Sequence, residues 1–296
     1  MKGYWNGNFC RRVSVVCIVF FTIGVQAQNQ SALATITLSE VALQAPKTET
    51  PRNQLPFSLS VQSVDEFQKI YQQLSLQEYL VAVPGLFTQN ANNYAQDLRI
   101  SLRGFGARAA FGIRGIKLIV DGIPETTPDG QGQLDNLPLG LLSSVEVLRG
   151  PSASLYGNAS GGVLYLNTMD QLENETIQLQ SRLGAYGFQS YQLNTSIKGK
   201  KTVALLHINR TKTDGFRQNS GFEQTLFNTK IKHRLSSKSK LQLQLNYTDS
   251  PRAEDAGGIT LEDTESGWSQ ARQRNVAYDT YESVNQFKSG LRWQQD

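Results

Sequence analysis

The sequence is poor in cysteine, histidine and long apolar runs. It contains two cysteines, Cys10 and Cys17, and both lie in the first 27 residues. The rest of the chain can therefore form neither a disulfide nor a cysteine-ligated metal site. The two histidines, His207 and His233, have no Asp or Glu at metal-ligand spacing, and Walker, HExxH and Ser-His-Asp patterns are missing. We expect no enzymatic activity, no bound metal and no cofactor.

Residues 1–27 have the organisation of a secretory signal peptide. Three cations and no acid precede an apolar segment at 13–25, and Val25-Gln26-Ala27 is a small-residue cleavage pattern. Removing these residues lowers the formal net charge from +4 to +1, because three cations and no acid leave. The pI of 9.0 is therefore no argument for a nucleic-acid partner, and we expect none. No apolar run of about 18 residues follows, so a mature chain that crosses a membrane must do so with β-strands.

The next two parts of the chain differ in composition and in their pattern of apolar residues. Residues 28–55 are polar and rich in proline toward their end, which is typical of a flexible leader. Residues 56–170 mix strand patterns with short helical ones, which predicts an α+β domain of ordinary size. The predicted elements are a strand at 57–64, a helix capped by Ser63 or Asp65 and ending near Tyr71, a helix at 76–83, and strands at 98–102, 116–120, 145–148 and 163–166.

Residues 171–296 alternate apolar and polar side chains over long stretches. Six strands of about ten residues are predicted, at 177–183, 190–198, 203–212, 225–235, 240–248 and 281–293. The joints between them are short at 199–201 and 236–238, and longer loops are predicted at 214–223 and 250–280. The pattern fits a transmembrane β-barrel, and it also fits a soluble antiparallel sheet with one wet face. Periodicity alone does not separate the two.

Three glycine-containing segments of residues 56–170 carry a family resemblance. Leu102-Arg103-Gly104 and Leu118-Ile119-Val120-Asp121-Gly122 precede a third segment, VEVLRGPSASLYGNASGGVLYLNT at 145–168. In order and spacing, the three resemble the plug domain of TonB-dependent outer-membrane receptors. The resemblance implies an α+β plug domain followed by the N-terminal strands of a transmembrane antiparallel β-barrel, located in the cell outer membrane. It therefore favours the barrel over the soluble sheet for residues 171–296.

Six strands are too few to close such a barrel. Bacterial outer-membrane barrels begin at about eight strands, and plugged transporters have about 22. An open sheet edge in lipid leaves backbone groups unsatisfied, so we expect a truncated chain that holds the N-terminal part of a longer receptor. The predicted division is a signal peptide at 1–27, a leader at 28–55, a plug domain at 56–170 and the first barrel strands at 171–296.

The resemblance implies uptake that is energised by TonB, a periplasmic partner. The energy-coupling segment, the TonB box, is expected in the leader. Its candidate is a short β-prone run made of Ile36, Thr37, Leu38, Ser39, Glu40 and Val41. An extended segment of this kind can add to the edge of a partner sheet through main-chain hydrogen bonds. The alternative is that the run is merely a short strand or linker.

The resemblance also implies that Arg103 and Arg149 of the plug contact acidic residues on the inner barrel wall. Each of these arginines ends an apolar run and precedes a glycine, and bidentate arginine–carboxylate pairs are strong and directional. Their acidic partners are expected in strands beyond the six. Asp121-Gly122, by contrast, is a turn signal, and we expect it to be structural.

Three plug segments are candidates for ligand contact, at 91–96, 105–114 and 126–133. The middle segment combines arginines with phenylalanines. Arginine beside aromatic rings suits an anionic ligand with flat organic parts, such as an iron-siderophore or ferric citrate chelate. The candidate ligand-binding residues are Tyr94, Phe105, Arg108, Phe111, Arg114 and Gln133.

Import of an iron chelate by an outer-membrane receptor is the function that these patterns favour. The segment Ala256-Gly257-Gly258-Ile259-Thr260 resembles part of a loop common in iron-type receptors. A cobalamin, a glycan or a copper chelate is the alternative ligand. A non-transporting periplasmic plug-like module that binds ligand or TonB is the alternative from a different class. A porin-like or adhesin barrel is disfavoured by the plug motifs.

Overall fold

A computed structural model describes the chain in ranges separated by short gaps. These are residues 43–47, 55, 57–64, 71–90, 92–109, 112–134, 136–150, 153–172 and 176–295. The chain divides into two compact units, residues 1–42 and 43–296, and all described residues belong to the second. The predicted signal peptide, the candidate TonB box at 36–41 and the predicted helix at 65–70 lie outside the described residues.

The described residues up to 172 form what we call the mixed domain. Its strands in chain order are β1 Ser58–Ser63, β2 Leu86–Gln89, β3 Arg99–Leu102, β4 Ile113–Arg114, β5 Ile116–Val120, β6 Ile123–Pro124, β7 Gln131–Gly132, β8 Leu142–Arg149 and β9 Gly162–Thr168. Between them lie helix α1 Gln77–Leu80, a 3-10 helix at Leu139–Leu141 and helix α2 Ala153–Tyr156. The predicted helix at 76–83 is thus only one turn long, because Pro84-Gly85 ends it.

Five strands of the mixed domain form one sheet, in the order β1-β8-β9-β5-β6. Strands β5 and β9 are parallel and the other neighbours are antiparallel. Apolar side chains cover both faces, so β5 and β9 read as nearly continuous apolar runs. One face carries the larger core, which includes Leu118, Val120, Val145, Val147, Leu164 and Leu166. The opposite face carries a smaller core, which includes Ala45, Leu59, Ile119, Leu148, Val163 and Tyr165.

The rest of the chain forms a six-stranded antiparallel sheet in sequence order. Its strands are β10 Ile177–Leu183, β11 Gln189–Lys198, β12 Thr202–Thr213, β13 Phe222–Arg234, β14 Ser239–Glu254 and β15 Tyr281–Gln295. All six predicted strands are therefore confirmed. Two short helices, α3 Leu261–Ser266 and α4 Gln273–Ala277, lie between β14 and β15. None of the described helices has the length and apolarity needed to span a membrane.

The six-stranded sheet has its polar face buried and its apolar face exposed. Buried polar side chains on its strands include Gln192, Asn194, His207, Asn228, Lys230 and Gln244. Exposed apolar side chains include Leu179, Tyr191, Ile197, Phe287, Leu291 and Trp293. A soluble sheet with one wet face has the opposite arrangement, whereas apolar-out and polar-in alternation is that of a transmembrane barrel wall.

Strand β14 runs past the predicted end at residue 248. Its pairing with β15 shifts register between Ser250 and Ala253. This irregularity accommodates Pro251, which cannot donate to a regular ladder. The predicted loop at 250–280 was therefore drawn too long, because its first residues continue the strand. The loop predicted at 214–223 likewise ends earlier, where β13 begins at Phe222.

We expect Gly162→Ala to destabilise the five-stranded sheet far more than Gly157→Ala. Both glycines have positive φ, but a Cβ at Gly162 would lie 2.1 Å from the Leu148 carbonyl oxygen, whereas nothing lies within 4 Å at Gly157. Backbone strain costs about 1–2 kcal/mol at either site, and overpacking at Gly162 adds about 1–3 kcal/mol. Urea unfolding of the two variants measures the difference, and equal free energies of unfolding would contradict this account of the approach between β8 and β9.

Candidate functional site

A buried ion pair joins the mixed domain to the six-stranded sheet. Asp121 lies in the turn between β5 and β6, where its φ is 50°. Its Oδ2 atom is 3.2 Å from Nζ of Lys230 on β13, and both side chains are at most 8% exposed. The same carboxylate accepts the backbone N–H of Thr168 at 2.8 Å and the side-chain amide of Gln244 at 2.8 Å. The Asp121-Gly122 turn therefore also makes a contact between the five-stranded and the six-stranded sheet.

Lys230 makes further contacts at the end of β9. Its ammonium donates to the carbonyl oxygen of Thr168 at 2.9 Å and to the Thr168 hydroxyl at 2.6 Å. It also pairs with Oδ1 of Asp170 at 2.8 Å. We call Asp121, Thr168, Asp170 and Lys230 the interface lock. Since a buried ammonium is stable only when paired and hydrogen-bonded, the mixed domain supplies what this strand lysine requires.

Asp170 connects a second lysine to the interface lock. Oδ2 of Asp170 lies 2.6 Å from Nζ of Lys232, two residues along β13. Burial alone would raise the pKa of Asp170, but Lys230 and Lys232 outweigh it and hold that pKa below its usual range. Asp170 is therefore ionised at neutral pH.

Strand β15 also contacts the turn at Asp121-Gly122. The guanidinium of Arg292 donates to the Asp121 carbonyl oxygen at 3.2 Å, and a Cβ at Gly122 would lie 2.2 Å from that guanidinium. A side chain at position 122 would displace the end of Arg292, and the φ of 83° there also favours glycine. Lys288 pairs with Glu125 at 2.6 Å and donates to the Asn136 side chain at 3.1 Å. Three strands, β13, β14 and β15, thus hold the segment that follows β5.

These contacts between the two sheets could not be read from the local sequence patterns. The available signal was the polar face of β13, where Lys230, Lys232 and Arg234 follow one another at strand spacing while the polar faces of β11 and β14 present mostly amides and hydroxyls. Consecutive cations on a buried polar face require acidic partners. The acidic partners, Asp121 and Asp170, lie far away in sequence, one in a predicted turn and the other at the predicted end of the plug domain.

The predicted plug–barrel arginines lie at one corner of the mixed domain. Arg103 has a φ of 51°, and its backbone N–H donates to the Gly85 carbonyl oxygen at 2.8 Å. The guanidinium of Arg149 donates to the Pro84 carbonyl oxygen at 3.0 Å. Both arginines therefore meet the turn at Pro84-Gly85. Their pairing with acidic residues of a barrel wall stays a prediction.

Two of the three predicted ligand segments lie together. Arg114 is exposed, and its guanidinium donates to the Gln131 side chain at 2.9 Å and pairs with Asp129 at 3.4 Å. The hydrogen bond from Thr127, with smaller contributions that include Arg114, lowers the pKa of Asp129. Phe105, Arg108 and Gln133 are exposed as well, whereas Phe111 lies outside the described residues. The pairing of β4 with β7 thus places Arg114 of one segment beside Asp129 and Gln131 of the other.

The third predicted segment contacts the six-stranded sheet instead. The Tyr94 ring stacks on Phe222 of β13, with centroids 4.6 Å apart. Burial, with Glu78 adding to it, raises the pKa of Tyr94 to about 12. Asn93 and Gln96 donate to the carboxylate of Asp255, at 2.8 and 3.3 Å. The structure therefore separates Tyr94 from the other candidate ligand residues and packs it against β13.

Comparison with known proteins agrees with this architecture. Residues 51–163 match the family described as TonB-dependent Receptor Plug Domain. Over 254 residues the chain is 26% identical to a hemin receptor of Yersinia enterocolitica, covering 79% of this chain and 35% of that protein. Over 140 residues it is 27% identical to the vitamin B12 transporter BtuB of Vibrio vulnificus, covering 47% of this chain and 22% of that protein.

Solved structures show the same fold. The unliganded ferric citrate transporter FecA superposes with a TM-score of 0.60 at 20% identity, over 73% of this chain and 34% of that chain. The ferric yersiniabactin uptake receptor FyuA of Yersinia pestis gives 0.57 at 21% identity, over 70% and 33%. The chain spans about a third of the length of these proteins. Residues 51–163 therefore match the plug domain of TonB-dependent receptors, and the strands that follow have the fold of the corresponding strands in these solved structures.

Proposed function

We propose that this chain is the N-terminal part of a receptor that imports an iron chelate across the outer membrane with energy from TonB. In this proposal residues 1–27 are a signal peptide, 28–55 a leader with the TonB box, 56–170 the plug and 171–296 the first barrel strands. The observation that carries the proposal is the inverted six-stranded sheet, whose polar face is covered by the mixed domain and whose apolar face is exposed. That arrangement suits a wall that separates lipid from an occluded pore.

An iron chelate is the ligand that the exposed surface supports best. Arg108 and Arg114 lie on the segment that also carries Phe105, and guanidinium groups beside aromatic rings suit anionic chelates with flat organic parts. The hemin receptor among the relatives supports an iron-containing ligand. The vitamin B12 transporter keeps cobalamin as the second candidate.

Uptake in this proposal requires the plug to change its contact with the wall. The mixed domain packs against β11, β13, β14 and β15 through the interface lock and its neighbours. A ligand can pass this face only after some of these contacts open. The leader provides the mechanical link, because TonB bound to the TonB box can pull on it.

Growth of a strain that lacks the gene tests the ligand proposal. We expect the deletion strain to lose growth on at least one iron chelate supplied as the sole iron source, and to recover it with the complete receptor gene. Growth on cobalamin as the limiting nutrient should be unaffected. Undiminished growth of the deletion strain on hemin, ferric citrate and ferric siderophores would remove the iron proposal, and loss of growth on cobalamin would replace it.

Leu38→Pro tests the TonB box. Proline removes a main-chain N–H and disfavours strand addition, so we expect energised uptake to be lost while ligand binding at the cell surface is retained. Ala32→Pro lies in the same leader outside the box and serves as the matched control with normal uptake. If the Leu38→Pro receptor takes up ligand normally, the box lies elsewhere.

Lys230→Met tests the interface lock. Removing the ammonium leaves Asp121 buried without its charge partner, which costs about 3–5 kcal/mol. We expect a lower urea midpoint for plug unfolding and greater sensitivity of cells to large antibiotics that enter through a loosened plug. The matched control is Lys232→Met on the same strand face. Its ion pair with Asp170 is half-exposed and is worth at most about 1 kcal/mol, so equal effects of the two variants would contradict the assignment.

A further inference from the structure

Residues 43–47 lie directly after the candidate TonB box and are bound to the mixed domain. The carboxylate of Glu146 on β8 accepts the backbone N–H of Gln44 at 3.1 and 3.0 Å, one distance to each oxygen. It accepts the backbone N–H of Ala45 at 2.9 Å. We call residues 43–47 the leader anchor. These bonds join parts of the sequence that are about a hundred residues apart.

Helix α2 and its neighbours hold the leader anchor from the side. The Tyr156 hydroxyl donates to the carbonyl oxygen of Ala45. Burial, with Tyr165 and Glu146 adding to it, raises the pKa of the Tyr156 phenol, which keeps it a donor. The ammonium of Lys47 donates to the Leu155 carbonyl oxygen at 2.9 Å and lies 4.2 Å from the centre of the Tyr156 ring. Ala45 itself is fully buried in the smaller core.

Glu146 is an unusual residue at this place in the sheet. It lies on β8 between Val61 of β1 and Tyr165 of β9, on the face of the smaller apolar core, and it is fully buried. A buried carboxylate is strongly destabilising unless donors surround it. The neighbouring strand supplies the Asn167 amide at 2.8 Å, and the leader anchor supplies two backbone N–H groups. The leader anchor therefore completes the hydrogen bonding of the Glu146 carboxylate, which lies on an interior strand of the sheet.

We propose that the leader anchor is the point at which a pull on the leader enters the plug, and that Glu146 is the positioning residue that holds it there. The inference rests on the proposed function, because it takes the segment at 36–41 as the attachment point of TonB. With the anchor bound, a pull on that segment reaches the centre of the sheet at β8. Without it, the pull first reaches the sheet at Ser58, the start of the edge strand β1.

The length of chain between these two points makes the difference large. Gln44 and Ser58 are fourteen positions apart, and at ~3.6 Å per extended residue this length of chain spans up to about 50 Å. A receptor without the anchor must extend its leader by up to this length before the sheet is loaded. With the anchor bound, this extension is not needed before the sheet is loaded. Since a few bonds hold the anchor while two full ladders hold β8, the anchor also ruptures before the sheet.

Gln44→Pro isolates the leader anchor without altering the sheet. Proline lacks the N–H that donates to both oxygens of Glu146, whereas Gln44→Ala keeps that N–H and is the matched control. Glu146→Ala removes the acceptor, but it also alters the sheet and therefore serves only as support. Each variant is made in the complete receptor with a single pulling handle at Ala34→Cys, since Cys10 and Cys17 leave with the proposed signal peptide.

Single-molecule pulling on the handle, with the receptor held in a supported bilayer, measures the first rupture. We expect the parent receptor and Gln44→Ala to show an early peak that releases up to about 50 Å of chain before the sheet unfolds. Gln44→Pro should show this peak at a lower force, because it loses one of the two backbone donors to Glu146 while the Ala45 N–H remains. An unchanged early peak in Gln44→Pro would overturn the proposal. Because the handle is chemical, this result does not depend on where TonB binds.

Uptake by the same variants completes the test. We expect Gln44→Pro to lower energised uptake, while ligand affinity and binding of the purified TonB C-terminal domain match Gln44→Ala. Normal uptake by a Gln44→Pro receptor whose early peak is weakened would overturn the inference, because the anchor would then lie off the transport path. A receptor whose uptake survives Leu38→Pro fails the TonB-box assignment instead, so the two failures are distinguishable.

Discussion

Lys230 carries a positive charge on the polar face of β13 where solvent is excluded, and such a charge requires compensation. Asp121, Asp170 and the two oxygens of Thr168 supply it. Because all of these groups belong to the mixed domain, the polar face of the strands is complete only when that domain covers it. The close approach of Arg292 to Gly122 and the pairing of Lys288 with Glu125 extend the same dependence to β15.

The five-stranded sheet connects the interface lock to the leader anchor. Glu146 of β8 stands opposite Tyr165 of β9, and β9 ends three residues later at Thr168, which bonds to Lys230. A pull that enters at Glu146 therefore passes through one strand pair before it meets the contacts that hold the plug against the wall. Glu146, which binds the leader anchor, and Lys230, which binds the mixed domain from the wall, lie at the two ends of this path. In the proposed mechanism the residue that receives the pull and the residue that binds Lys230 therefore lie on adjacent strands, β8 and β9.

Much of the architecture could be predicted from the sequence, because strand periodicity and glycine-rich turns are local signals. The six wall strands follow from alternation, and their polar face marks the side that the mixed domain covers. The partners of Asp121 and Glu146 could not be predicted, since each binds residues about a hundred positions away. A local pattern contains no information on such pairs. For the same reason the stacking of Tyr94, a candidate ligand contact, on Phe222 could not be predicted. The continuation of β14 past Ser250 was missed because Pro251 usually ends a strand.

The most direct test of the account is a double-mutant cycle between Asp121→Asn and Lys230→Met, read as the free energy of unfolding in urea. If the two side chains form the buried pair that holds the plug, the double variant loses much less stability than the two single variants together. Their coupling energy should then exceed 0.5 kcal/mol, the usual limit of additivity for separate sites, and lie in the range of about 0.5–3 kcal/mol. Losses that add to within about 0.5 kcal/mol would contradict the account.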